Sequence, residues 1–178
     1  MIKKLRLDIQ MIRGNSENKK NDFLYLFHPR IWPVILFRLA NFLSQNHLGV
    51  LGKFFSILNQ ILFSCDIARN ATIEGGLYLP HPVGVVVGEN AIIGKNCILH
   101  QGVTLGDRGE CHEGSDPKLG NYIEIGTGAK ILGNITLGNY VRVGANSVVL
   151  KNIEAYAVVV GIPAKIINFR EEKPHNNV

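Results

Sequence analysis

Residues 119–150 read LGNYIEIGTGAKILGNITLGNYVRVGANSVVL, and Leu119, Ile125, Ile131, Leu137, Val143 and Val149 recur in them at every sixth residue. Glycine follows the aliphatic at 120, 126, 138 and 144. A helix repeats every 3.6 residues and a half-buried strand every two, so a strict six is neither. Short strands joined by corners around a prism satisfy it. Three hexads close a coil of about eighteen residues, each aliphatic stacking on its counterpart one coil below. The glycines fall where a corner needs a backbone free of Cβ clash.

Upstream the same period holds at Ile67, Ile73 and Leu79, slips by two residues, and resumes at Val87, Ile93, Leu99 and Leu105. All thirteen positions are Leu, Ile or Val. Four residues after each comes a second inward candidate, among them Ala71, Val83, Ala91, Cys97, Val103, Ala129 and Val141. The expected fold is therefore mainly β, a parallel β-helix of hexapeptide repeats over 65–168. A helical segment over 1–64 precedes it and a polar tail over 169–178 follows.

In the N-terminal segment, Asn21 or Asp22 caps a short helix through Phe27, ended by His28-Pro29. Pro33 opens a second helix with Ile35, Leu39, Phe42 and Leu43 on one face. A third, Lys53 to Phe63, carries Phe54, Ile57, Leu58, Ile61 and Leu62. Such wide apolar faces are expected to pack on the rest of the chain or on a copy of it. A weak membrane-surface contact, helped by the basic N-terminus and Trp32, is the lesser reading.

The chain has 178 residues, 46% of them hydrophobic and 19% charged, which is ample for a core and too apolar for disorder. Residues 1–20 hold six Lys/Arg against two Asp/Glu, a local +4 of the whole chain's +5. The body is thus almost neutral, which argues against a basic nucleic-acid-binding surface. Cys65, Cys97 and Cys111 form no metal spacing and, being odd in number, no disulfide framework. No His-x4-His pair occurs, and no metal site is expected. With no signal peptide or membrane span in view, the expected compartment is the cytoplasm.

A regular prism is structurally complete, so its interruptions are where a site is expected. One is the two-residue insertion around Pro82–Val86, just after His81. The other is a polar loop over about 107–118, DRGECHEGSDPK, which cannot continue the coil.

Around these interruptions the sequence resembles the serine acetyltransferases among the hexapeptide-repeat acyltransferases. The residues that carry the likeness are Asp66-Ile67, His81, Val86-Val87-Gly88-Glu89 and Gln101 with Val103-Thr104-Leu105-Gly106. It continues through GAKILGNI at 128–135, Gly144-Ala145, Ser147 to Leu150 and GIPAK at 161–165, and spans about residues 23–168. It implies a left-handed coil, assembly as a homotrimer or a dimer of trimers, and acetyl-CoA as acyl donor. It also implies catalysis by His81 as general base, oriented by Asp66. A hydroxyl must lose a proton as it attacks a thioester, and imidazole exchanges one near neutral pH. For the donor, the likeness points to the small residues Gly126, Thr127, Gly128 and Ala145, and to Lys130, Lys151 and Lys165. Arg108 is a weaker cation for the phosphates.

The acceptor residues depart from the family pattern. Pro80 replaces an Asp before the histidine, and Ser115 and Asp116 replace an Arg-His pair before Pro117-Lys118. Losing the Arg removes a fork for a carboxylate, and Asp116 would repel one while accepting bonds from sugar hydroxyls. His100, beside a corner, and His112, in the loop, are further acceptor candidates. The expected acceptor is thus a saccharide hydroxyl, as in polysaccharide O-acetyltransferases. Free serine is the alternative, and a non-catalytic assembly module the second.

Overall fold

The computed structural model describes residues 1–14, 25, 27–109 and 116–171. The expected helix over 21–27 falls largely outside them. From Asp66 onward the chain winds into a left-handed parallel β-helix with three faces. The first face stacks β1 (Asp66–Ile67), β3 (Val86–Val87), β6 (Thr104–Gly106), β9 (Lys130–Leu132) and β12 (Val148–Val149). The second stacks β2 (Thr72–Ile73), β4 (Ile92–Ile93), β7 (Lys118–Leu119) and β10 (Thr136–Leu137). The third holds β5 (Ile98–Leu99), β8 (Glu124–Ile125), β11 (Arg142–Val143) and β13 (Ala157–Gly161), closed by the antiparallel β14 (Ala164–Phe169).

The pairings keep the period: Val87 lies beside Leu105 and Leu105 beside Ile131, so like stacks on like. All thirteen periodic aliphatics are buried and fill one continuous core. The second inward set follows, with one correction. Val83 is 60% exposed and Val85, fully buried, takes the inward position. The insertion explains it: two added residues push the chain outwards from His81 to Gly84 before the coil resumes.

Among the described residues, three helices cover the first coil. They are α1 (Ile2–Arg13), which the sequence reading missed, α2 (Trp32–Gln45) and α3 (Gly49–Phe63), with a 3₁₀ turn at Pro29–Ile31. α1 docks Ile9 into the core, with Leu5 and Ile12 packed against it, a 5/9/12 spacing that was legible. It also buries Asp8. The carboxylate takes Nε and Nη2 of Arg38 at 3.0 and 3.1 Å and the amides of Gly76 and Leu77 at 2.8 Å. Arg38 in turn donates to the carbonyls of Ile73 and Glu74 at 2.7 and 2.6 Å.

α2 turns a face other than the expected one inwards. Val34, Phe37 and Ala40 are buried, while Phe42 is exposed. The helix is held between the prism end and α3, whose Gly52 abuts the Ala40 carbonyl so closely that a Cβ there would lie 2.8 Å from it. α3 leaves Phe54, Ile57, Ile61 and Leu62 exposed on the single chain. Among the described residues no helix is long and apolar enough to cross a membrane.

Candidate active site

Leu79 is the last buried residue before the insertion; Pro80 is half-buried and His81 stands exposed on the outward bulge. The bulge is pinned at its far end. Gly84, in the left-handed region at φ 72°, donates its amide to the Ser64 carbonyl at 2.8 Å. The Asp66 amide bonds to the Val85 carbonyl at 2.9 Å, and Asp66 pairs with Val86 across β1 and β3. Asp66 is therefore set outward on the strand beside which the His81 bulge returns. In the single chain both side chains are exposed, with no bond between them among the described residues.

Above the bulge runs a column without Cβ atoms. Gly84, Gly102 and Gly128 share φ near 70° and stack so that a Cβ on Gly84 would lie 3.4 Å from the Gly102 Cα. Gly126, Thr127, Gly128 and Ala145 gather on this corner; a Cβ on Gly126 would lie 2.7 Å from the Ala145 nitrogen. Lys130 is already engaged, its Nζ donating to the Gly102 carbonyl at 2.5 Å and Thr104 Oγ1 at 3.0 Å. Arg108 and Lys151, separate in sequence, line one open pocket of about 440 Å³ with Gly133 and Asn134. Arg108 is held there by the carbonyls of Leu132, at 3.1 Å, and Leu150. Lys165 is exposed on β14 beside the terminal turn.

The acceptor candidates separate. His100 is half-buried with Nε2 3.5 Å from Glu124, which also takes Arg142 at 2.6 Å. Asp116 differs from the outward role expected of it. It is 6% exposed, takes the Asn90 amide at 2.8 Å, and packs over Gly88, where a Cβ would lie 2.5 Å from its Oδ2. Its carboxylate anchors the return of the loop. Ser115 and His112 lie outside the described residues. Of the thiols, burial and then the Asp66 charge push Cys65 up to about 12, and burial pushes Cys97 up to about 11. Neither is a nucleophile at neutral pH. Among the described residues no group of three His, Cys, Asp or Glu could hold a metal ion.

One feature escaped the sequence reading. Lys53, Ser56, Ile57 and Gln60 form a single stripe of α3 facing Asp66, Arg69, Asn70 and Glu89 across a groove of about 270 Å³. The 53/56/57/60 spacing was legible as one helical face, but not what it faced.

A three-faced coil of hexapeptide repeats is the architecture of the hexapeptide-repeat acyltransferases. A family model for the bacterial transferase hexapeptide (six repeats) matches residues 116–151, and one for the hexapeptide repeat of succinyl-transferase matches 84–108. Serine acetyltransferase from Synechococcus elongatus is 38% identical over 168 residues, 94% of this chain and 69% of that one. The Brucella abortus serine acetyltransferase structure in complex with coenzyme A superposes with TM-score 0.86 at 32% identity, over 96% of this chain and 68% of that one. The Neisseria gonorrhoeae enzyme in complex with serine gives TM-score 0.84 at 31% identity, over 94% and 69%. The chain belongs to the serine acetyltransferase family and is an acyltransferase.

Proposed function

We propose that this chain transfers the acetyl group of acetyl-CoA to the hydroxyl of L-serine, in the cytoplasm, with His81 as general base and Asp66 as its orienting carboxylate. The observation that carries this reading is the His81 bulge itself, pinned over Ser64 and Asp66 where the coil is broken. One ring nitrogen of His81 takes the serine hydroxyl proton as the oxygen attacks the thioester carbonyl. The tetrahedral intermediate then expels the CoA thiolate, which recovers that proton from the imidazolium. Asp66 at the other ring nitrogen fixes the tautomer and stabilises the imidazolium. The glycine column and the Arg108–Lys151 pocket suit the extended arm and the phosphates of acetyl-CoA. Assembly as a homotrimer, or a dimer of trimers, would set this surface against a neighbouring copy.

The matches to serine acetyltransferases move the saccharide acceptor expected from sequence to second place. Part of the case for a saccharide also lapses, because Asp116 is turned onto Gly88 and Asn90 and no longer stands against a carboxylate. What still favours the second reading is Pro80 and the missing arginine at Ser115. CoA release from acetyl-CoA with L-serine, wild type beside His81→Ala, is the test. The expected result is serine-dependent release that falls at least ~10²-fold in the variant, with CoA binding retained. Protein that binds CoA but ignores serine would pass the reading to the saccharide.

A further inference from the structure

We infer that the groove between α3 and β1 is the acceptor's carboxylate subsite, with Lys53 and Arg69 supplying the charge that Ser115 no longer provides. The inference rests on the serine reading above. The groove, about 270 Å³, is in scale with a single amino acid and below the ~300–1,000 Å³ of clefts for larger ligands. Its Asp66 end is the end at which the His81 bulge is pinned, through Gly84 and Ser64. Both walls are fixed from behind. Asn59, on a flank of α3, donates to the Pro33 carbonyl at 3.1 Å, and Asn41 of α2 holds the Arg69 carbonyl at 2.7 Å. Among the described residues, neither the Lys53 ammonium nor the Arg69 guanidinium has an anionic partner. The stripe of α3 that lines the groove carries the only charged residue of that helix, Lys53.

The charges in the groove balance, Lys53 and Arg69 against Asp66 and Glu89. A neutral sugar can hydrogen-bond to these groups but brings no charge to pair with them, and a dianion is repelled by half of them, whereas a zwitterion finds a partner for each of its charges. Glu89 accepts from Asn70, which holds it at the rim. The groove therefore selects an α-amino acid, and its cations read the carboxylate while the hydroxyl lies towards His81.

The test compares KM for L-serine and for L-serine methyl ester, whose carboxylate is capped, in wild type, Lys53→Met and Arg69→Met. Acetyl-CoA KM and the mass by light scattering are measured on the same samples. A lost charge-assisted bond should raise the serine KM at least ~10-fold in one or both variants. The same variants should differ from wild type by less than about twofold with the ester, and acetyl-CoA KM should hold. Serine KM unchanged in both variants would overturn the subsite and leave the serine reading intact. So would a change of oligomeric mass without a change of serine KM, which would make the groove a subunit contact. Wild-type protein that turns over no serine would overturn both.

Discussion

Cys65 and Cys97 show how much a side chain's behaviour depends on where the coil turns it. The hexad spacing marks Cys97 as inward, and both thiols are buried, pushed up to about 12 and about 11 from an ordinary 9.0. A folded-state value above the unfolded one means stability that is fully present below pH ~9 and is lost as pH rises towards the folded values. Between pH 9 and 11 the denatured chain releases protons that the native chain keeps, and each thiol lowers stability by about 1.4 kcal/mol per pH unit. Urea midpoints taken across that window should therefore fall less steeply in Cys65→Ala than in wild type, and equal slopes would contradict the burial argument. Asp116 is the opposite case. Its position in the loop suggested an outward acceptor residue, but one amide, from Asn90, and the absence of a Cβ on Gly88 draw it in. Spacing carries the inward or outward sense of a residue inside the period and says nothing once the period is broken.

Among the elements, the strands were legible and the helices only in part, and the reason is physical. A β-helix strand has its partner one coil away, so its burial repeats with the sequence and thirteen aliphatics announce it. A covering helix has no such neighbour. α2 was placed correctly, but its buried face was not, since Val34 and Phe37 meet the prism and Ala40 meets Gly52, contacts that no local pattern records. The Asp8–Arg38 pair was hidden for the same reason, its members lying thirty residues apart on different helices. It ties α1, α2 and the backbone at Ile73–Leu77 together with both ions buried, Arg38 at 4% and Asp8 at 0% exposure. Arg38→Met leaves an unpaired buried carboxylate and should cost about 3–5 kcal/mol in urea unfolding. Adding Asp8→Leu should recover part of that loss but not all, because the Gly76 and Leu77 amides lose their acceptor. A single variant as stable as wild type would remove the pair from the forces holding the helices on.

At the scale of the molecule the prism is nearly one-dimensional: each coil touches the coil above and the coil below, and its two ends are closed differently. Helices cover the first coil with Ile31, Val34 and Phe37, and the β13–β14 hairpin turns the last one back on itself. The candidate site lies where this regularity fails, with His81 on an insertion in the early coils and the Arg108–Lys151 pocket beside the loop that leaves after β6. Both breaks were visible in the sequence because the period either side of them was strict; the groove under α3 was not, because it forms between the prism and its cover. A one-dimensional stack makes damage local. Leu105, fully buried on β6, lies between Val87 and Ile131, so Leu105→Ala opens a cavity in mid-stack and should cost about 2–5 kcal/mol. The coils next to the cavity should open before the rest. Hydrogen exchange should lose protection first at Val86 and Gly88, whose amides bond to the carbonyls of Val103 and Leu105. The amides of Leu77, bonded to Asp8, and Arg170, bonded to the Tyr156 carbonyl, lie at the two ends and should change least. Uniform loss at all four amides would mean that the prism opens as one unit, its end caps holding it more tightly than the contacts between coils.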